Sequence, residues 1–263
     1  MPVQKINGID LYYDIQGKGE PLLFISGFSG SHQAWLPYTN YFSQTFQTIA
    51  FDNRGAGQSE QPPPPYSIQM LAEDVIGLLN HLKIPKAYMV GCSMGTAIIQ
   101  TLALLNPERI KKGVLISPFP RLPNTSLLKS EAIGKLIRAG TPMNLVIESV
   151  LPWLFSNDFL SEPELMQEKI SEMSNTPYPQ KLDGYQGQLS ALKEFDLRNR
   201  LSEIRTEFLL IAGEEDVSTP LYCAKLLHEK IPSTELRTFP RVGHMVHVER
   251  RAQVMTLIEN FFK

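Results

Sequence analysis

Short, nearly unbroken apolar runs alternate along the chain with segments of helical periodicity. The runs cover residues 22–25, 48–51, 88–90, 114–116 and 208–211. Apolar runs of this length are typical of strands that are buried on both faces of a parallel sheet. Between them, residues 67–82 place apolar side chains at 68, 71, 75, 78, 79 and 82, along one face of a helix. Strands that alternate with helices predict a doubly wound α/β fold with a mostly parallel sheet.

The alternation stops between residues 118 and 200. Prolines at 118, 120 and 123 open this stretch, which shows helical patterns near 126–139, 143–155, 162–174 and 185–195 but no clear strand. After this stretch, the sequence predicts helices at 220–230 and 248–262 and a strand-like segment at 235–240. Before it, residues 96–105 are a further predicted helix and 9–13 a predicted antiparallel edge strand. An all-helical insertion between two late strands predicts a core of residues 1–117 and 201–263 with a helical cap at 118–200.

Composition narrows the class of function. Hydrophobic residues make up 43% of the chain, and 25 Lys and Arg nearly cancel 27 Asp and Glu, for a net charge of −2. Without a basic stripe or a polybasic cluster, we expect neither a nucleic acid nor a membrane partner. No run approaches the roughly 18–20 apolar residues of a membrane span. Cys92 and Cys223 lie far apart in the sequence and form no metal-type pair. A disulfide at Cys92 would be awkward in the glycine-flanked segment 91–95, so we expect free thiols and a cytoplasmic protein.

A serine flanked by glycines follows one of the apolar runs directly. The segment Gly91-Cys92-Ser93-Met94-Gly95 lies between the predicted strand at 88–90 and the predicted helix at 96–105. In that context Gly-x-Ser-x-Gly indicates a nucleophile elbow, a sharp turn that exposes the serine hydroxyl beside a helix N-terminus. The sequence therefore predicts Ser93 as a catalytic nucleophile.

A serine nucleophile needs a base, and the base needs an acid that orients it. Asp216 follows the strand at 208–211 and is the preferred acid, with Glu214 and Glu215 as alternatives. Gly243-His244 follows the last predicted strand, so His244 lies at the same end of the sheet and is the preferred base. His247 is predicted at the start of the last helix, facing elsewhere, whereas His32 on an earlier loop could contact substrate.

The order Ser93, Asp216, His244 along the chain resembles the α/β-hydrolase family, in particular small serine esterases and 3-oxoadipate enol-lactonases. Asp52-Asn53-Arg54-Gly55-Ala56-Gly57-Gln58-Ser59 matches the family's Asp-x-Arg-Gly-x-Gly-x-Ser turn. The resemblance implies an oxyanion hole formed by the backbone N–H groups of Phe28 and Met94. Ser26 stands where the family usually has histidine. Backbone donors do not depend on that side chain, so we expect the hole to be retained, and the resemblance leaves open what supports the loop that carries Phe28.

The predicted activity is hydrolysis of small to medium, largely apolar esters or lactones through an acyl-enzyme intermediate, without metal or cofactor. Carbon–carbon bond hydrolysis of vinylogous diketones by the same triad is the alternative reaction. A non-catalytic ligand receptor on the same fold is an alternative of a different class. His32, Phe119, Trp153 and Phe155 are the candidate pocket residues, although each aromatic residue could equally belong to the core. The sequence does not predict the oligomeric state.

Overall fold

Eight strands within the described residues, 2–263 of this computed structural model, form a single sheet. They are β1 (Val3–Ile6), β2 (Ile9–Gln16), β3 (Glu20–Ile25), β4 (Phe46–Phe51), β5 (Ala87–Cys92), β6 (Ile110–Ile116), β7 (Phe208–Gly213) and β8 (Thr234–Phe239). Their order is β1-β2-β4-β3-β5-β6-β7-β8. β2 pairs antiparallel with β1 and β4, and every pairing from β4 to β8 is parallel. The predicted mostly parallel α/β fold is confirmed.

Helices cover both faces of the sheet and the segment between β6 and β7. They are α1 (Leu36–Phe42), α2 (Ile68–His81), α3 (Met94–Leu105), α4 (Asn124–Arg138), α5 (Met143–Leu154), α6 (Asn157–Leu160), α7 (Pro163–Ser174), α8 (Leu182–Glu194), α9 (Leu221–Lys230), α10 (Val246–Glu249) and α11 (Arg251–Phe262). The single helix predicted at 248–262 is wrong in one respect, because Arg250 leaves the helical region with φ −129° and ψ 39°. The chain therefore ends in two helices rather than one.

Two apolar layers explain why the strand sequences are almost uninterrupted. α2 and α3 pack on one face of the sheet, where Leu23 and Leu115 point, and the other face, with Phe24 and Val114, packs against α1 and α11. All six residues of β7 are buried. Burial on both faces requires apolar residues at successive positions, which erases the alternation of a half-exposed strand.

The insertion between β6 and β7 consists of helices and the loops that join them. Five helices, α4 to α8, occupy residues 124–194, and no named strand lies between Ile116 and Phe208. A single antiparallel bridge between Arg121 and Asp196 joins the chain where it leaves the sheet and where it returns. The bounds 118–200 for a separate cap remain a prediction. None of the helices described is both long and apolar enough to cross a lipid bilayer.

Candidate active site

Ser93 occupies a strained turn between β5 and α3. Its backbone has φ 52° and ψ −116°, a region that non-glycine residues rarely adopt. The amide of Ser93 donates to the carbonyl oxygen of Ile116 on the neighbouring strand at 2.9 Å, which holds the turn against β6. Because α3 begins at the next residue, Met94, the serine hydroxyl lies at a helix N-terminus, where developing negative charge is stabilised.

The glycines on either side of this turn are required by close packing. A Cβ on Gly91 would lie 2.8 Å from the backbone of Gly95, so the two glycines approach each other across the turn. A Cβ on Gly95 would collide with the carbonyl oxygen of Ile25 at the end of β3. The Gly-x-Ser-x-Gly spacing therefore lets β5 and α3 meet at an angle that side chains would prevent.

Asp216 and His244 are hydrogen-bonded to each other at the same end of the sheet. Asp216 follows β7, His244 follows β8, and Nδ1 of the histidine lies 2.7 Å from Oδ2 of the aspartate. Both residues are buried, at 3% exposure for Asp216 and 5% for His244. Since a carboxylate only accepts, the network assigns the proton to Nδ1 and leaves the Nε2 lone pair free to act as a base.

The carboxylate of Asp216 is fixed by the loop that follows it. The amides of Ser218 and Thr219 each donate to Oδ1 at 2.8 Å. The hydroxyl of Thr219 lies 2.8 Å from Oδ2 and 3.2 Å from Nδ1 of His244, so it contacts both members of the pair. This loop orients the aspartate toward His244. Thr219 could not be identified from the sequence, because it belongs to no recognisable motif.

The two alternative acids have different surroundings from Asp216. Glu214 and Glu215 are both exposed. Oε1 of Glu214 accepts from the hydroxyl of Thr238, and Oε2 of Glu215 accepts from the amide of Asn157 at 3.3 Å. Neither glutamate contacts His244 in the hydrogen-bond network of residues 2–263.

The end of β6 connects the serine turn to the histidine loop. Ile116 binds the amide of Ser93, and the hydroxyl of the next residue, Ser117, donates to the carbonyl oxygen of His244 at 2.6 Å. No hydrogen bond within the described chain joins the Ser93 hydroxyl to the imidazole. A catalytic hydrogen bond of this kind often tightens only when substrate is present. The assignment of all three residues as one triad remains a prediction.

The loop at residues 26–30 lies against the serine. A Cβ on Gly27 would be 3.2 Å from Cβ of Ser93, so the backbone of this loop touches the elbow. The amides of Phe28 and Met94 donate to no acceptor within residues 2–263. An unbonded N–H group on the loop beside Ser93 and another on the residue after Ser93 are candidates for the donors that an oxyanion hole requires.

His32 and the turn at 52–59 have structural partners. Nδ1 and the amide of His32 lie 2.9 and 2.6 Å from Oδ1 of Asp52, whose Oδ2 accepts from the amide of Gln58 at 2.7 Å. Arg54 forms a buried ion pair with Asp74 at 2.8 Å. Through these bonds Asp52 and Arg54 hold the turn at 52–59 against the loop of His32 and against α2. His32 is buried against the same carboxylate, and its contact with substrate remains a prediction.

The three aromatic pocket candidates have different surroundings. Phe119 is fully buried in the main core, with its ring 5.9 Å from that of Phe195. Phe155 belongs to an apolar cluster of the cap region and stacks on Phe159 at 4.4 Å. The structure thus accounts for both as packing residues, which was the alternative interpretation of each. Trp153 is partly exposed and differs from both.

Lys129 on α4 is a charged group that sequence reasoning missed. Its ammonium lies 5.1 Å from the centre of the Trp153 ring and 3.4 Å from the hydroxyl of Ser218, next to the Asp216 loop. Burial lowers the pKa of Lys129 to about 8, although nearby Asp216 acts in the opposite direction. Nothing in the local sequence distinguishes this lysine from others on the helix surface.

Burial raises the pKa of the Cys92 thiol, so this neighbour of Ser93 stays protonated near neutral pH and is not a competing nucleophile.

His247 is part of the core rather than the site. It is buried, and its imidazole stacks on the Trp35 ring with 5.2 Å between centroids. Nδ1 of His247 has no hydrogen-bond partner in the described chain. Burial lowers the pKa of His247 from 6.5 to about 3, and His244 and Arg251 act in the same direction. The prediction that His247 faces elsewhere than the candidate base His244 agrees with this packing.

The buried His247 is expected to make the fold acid-labile. The folded pKa of His247 lies below the unfolded value of 6.5, so the unfolded state binds more protons between those two values. The free energy of unfolding therefore decreases as the pH is lowered through that window. From about pH 7 to about pH 4 the loss would reach about 3 kcal/mol. Urea denaturation of the wild type and of His247→Gln at both pH values measures this loss in the free energy of unfolding. The difference between the two proteins at neutral pH gives the cost of replacing the packed imidazole. Equal losses in the two proteins would contradict this assignment.

Comparison with known proteins places the chain in a family. The alpha/beta hydrolase fold profile matches residues 20–251. The chain belongs to the α/β-hydrolase family. It is 28% identical over 258 residues to the Mycobacterium tuberculosis protein named "Putative non-heme bromoperoxidase BpoC", covering 97% of this chain and 98% of that one. It is also 28% identical over 244 residues to 3-oxoadipate enol-lactonase 2 of Acinetobacter baylyi, covering 92% and 89%.

A solved structure agrees with this assignment over nearly the whole chain. The crystal structure of a hydrolase from Pseudomonas aeruginosa PA01 superposes with a TM-score of 0.90 and 26% identity, covering 99% of this chain and 97% of the other. The cap region is included in that coverage. Hydrolase activity is therefore supported for this α/β-hydrolase, and the resemblance inferred from the serine turn and the order of the candidate residues is confirmed.

Proposed function

We propose that this α/β-hydrolase is a serine hydrolase of carboxylic esters or lactones. The observation that carries the proposal is the buried hydrogen bond between Asp216 and His244, 2.7 Å long, at the sheet end where Ser93 occupies its strained turn. An acid, a base in the required tautomer and a serine at a helix N-terminus are the parts that acyl transfer requires.

In the proposed reaction, Oγ of Ser93 attacks the carbonyl carbon while Nε2 of His244 takes the hydroxyl proton. The tetrahedral oxyanion is held by the amides of Phe28 and Met94. The imidazolium then returns its proton to the leaving alcohol, and the C–O bond breaks to leave an acyl-enzyme. Water, deprotonated by His244, then attacks the acyl carbon, the bond to Oγ of Ser93 breaks as the imidazolium returns the proton to Oγ, and the acid is released. Asp216 accepts the hydrogen bond from the protonated Nδ1 of His244 throughout and stabilises the imidazolium.

The substrate class follows from the surroundings of the site and from one relative. The cap contributes an apolar cluster that includes Tyr185 and Leu189 and packs against Phe28. The Acinetobacter baylyi relative carries the name of a lactonase. Small to medium, largely apolar esters or lactones are the proposed substrates, and a cytoplasmic location is proposed because both cysteines are free and buried.

A substrate panel tests the proposal. Purified protein is assayed with p-nitrophenyl acetate, hexanoate and dodecanoate, with simple lactones, and with a vinylogous diketone acid. We expect turnover of the shorter esters or of lactones, and a decline at long chain length if the substrates are small to medium as proposed. Turnover of the diketone alone would replace the proposal with carbon–carbon hydrolysis. A tightly bound small ligand without any turnover would instead favour a receptor.

A further inference from the structure

The loop that carries the Phe28 amide is held by the cap as well as by the core. The amide of the next residue, Ser29, donates to Oε1 of Gln188 on α8 at 2.9 Å. The hydroxyl of Ser29 donates to Oε1 of Gln180 at 2.6 Å, and the Phe28 ring packs 4.7 Å from that of Tyr185, also on α8. Both residues of the loop tip thus contact side chains more than 150 positions away in the sequence.

The loop adopts a conformation that its own sequence does not favour. The amide of Gly30 donates to the carbonyl oxygen of Gly27 at 3.1 Å, which closes a β-turn with Phe28 and Ser29 at its centre. Ser29 has φ 61°, in the left-handed region that normally selects glycine or asparagine at this turn position. The hydrogen bond from the Ser29 amide to Gln188 offsets that disadvantage, because it forms only when the Ser29 peptide has this orientation.

Gln188 is itself fixed by its other bonds. The side chain is fully buried, and Nε2 donates to the carbonyl oxygen of Arg54 at 2.8 Å. Oε1 also accepts from Nε2 of Gln180 at 3.1 Å, and the same amino group reaches the carbonyl oxygen of Gly55 at 2.8 Å. The Arg54 carbonyl can only accept, so it sets the amide orientation and directs Oε1 at Ser29.

The core provides little comparable support from its own side. The hydroxyl of Ser26 donates to the carbonyl oxygen of Ser31 at 3.0 Å, which ties together the two ends of the loop. This bond does not reach Phe28 or Ser29 at the tip. The tip therefore depends on the cap for its polar contacts.

We propose that Gln188 is a positioning residue that holds the turn carrying the Phe28 amide and so aligns one donor of the oxyanion hole. This inference rests on the proposed function for its effect on rate, whereas the contact between Gln188 and the loop does not. The oxyanion hole acts when charge develops on the substrate oxygen. A misaligned donor therefore lowers kcat and leaves KM almost unchanged.

The test compares Gln188→Met with a control on the same helix. Methionine keeps the length of the side chain and removes all of its hydrogen bonds. Ser190→Ala removes a bond between cap and core that does not involve the loop, since the Ser190 hydroxyl accepts from the amide of Tyr66 at 2.9 Å. We expect Gln188→Met to lower kcat by about 10- to 100-fold with KM within about twofold, and the control to keep kcat within about twofold.

Hydrogen exchange supplies a readout that does not depend on turnover. In intact Gln188→Met, peptides covering residues 26–30 should exchange faster than in the wild type, while in Ser190→Ala they should not. Unchanged exchange at these peptides would show that Gln188 does not hold the loop, whatever the activity. Faster exchange with an unchanged kcat would overturn the positioning role.

A second variant keeps the test decisive if Gln188→Met does not fold. Gln180→Met removes the bond to the Ser29 hydroxyl from a side chain that is only half-buried. It should raise exchange at residues 26–30 and lower kcat by about 3- to 10-fold. Because Nε2 of Gln180 also donates to Oε1 of Gln188, the variant loosens both polar contacts between the cap and Ser29, and an unchanged exchange rate would overturn the support of this loop by the cap. A wild type without esterase or lactonase activity would contradict the proposed function, while exchange would still test the contact.

Discussion

Replacing Ser93 with alanine is expected to lower kcat by about 10⁴- to 10⁶-fold on the ester that the protein cleaves best. The alanine has no oxygen to attack the carbonyl, while the helix N-terminus and the amides of Phe28 and Met94 remain. A fluorophosphonate probe should label the wild type at Ser93 and should not label the variant. Labelling of another serine together with retained turnover would contradict the assignment of the nucleophile.

A second substitution at the same position separates loss of the nucleophile from damage to the fold. Ser93 has φ 52° and ψ −116°, which glycine adopts with less strain than serine or alanine. Ser93→Gly should therefore be as inactive as Ser93→Ala and about 1 kcal/mol more stable than it by urea denaturation. A less stable glycine variant would show that the turn stores no strain at this residue.

The nucleophile and base are also expected to act as one unit. His244→Ala should cost about as much as Ser93→Ala, and the double variant should be little worse than either, because each single change already removes the covalent route. Additive losses would instead indicate that the serine and the histidine serve separate steps.

The strands, the elbow and the order of the candidate triad were predictable because each depends on local sequence. A strand buried on both faces has to be apolar at successive positions, and Gly91 and Gly95 mark the turn through steric demands on adjacent elements. Asp216 and His244 follow from the rule that the carboxyl ends of parallel strands meet at one edge. The break at Arg250 was not predictable, because the helical periodicity continues through it.

The contacts that hold the site were not predictable in the same way. Gln188 reaches Ser29 across 159 positions, and only the folded cap brings them together. Thr219 contacts both Asp216 and His244 from a loop without a distinctive pattern. Hydrogen bonds of this kind depend on the distance between two surfaces, which neither hydrophobic periodicity nor a short motif encodes. In the structure, Gln188 supports the loop in which Ser26 stands where the family usually has histidine.

Replacing Asp216 with asparagine is expected to lower kcat by about 10⁴-fold without unfolding the protein. The amide oxygen should stay where Oδ1 accepts from the amides of Ser218 and Thr219, at 2.8 Å each. The amino group must then face His244 and donate to Nδ1. That donation moves the imidazole proton to Nε2, which can no longer accept the proton of Ser93.

The neighbouring Glu215 provides the matched control for this prediction. Glu215→Gln makes the same chemical change one residue away, on an exposed side chain that meets only the amide of Asn157 among the described residues. It should keep kcat within about twofold. In Asp216→Asn, fluorophosphonate labelling of Ser93 should slow in parallel with kcat but not vanish, because the nucleophile is present and only its base is in the wrong tautomer. A control as inactive as Asp216→Asn would assign the acid to the wrong residue, and rapid labelling in Asp216→Asn would remove Asp216 from the triad.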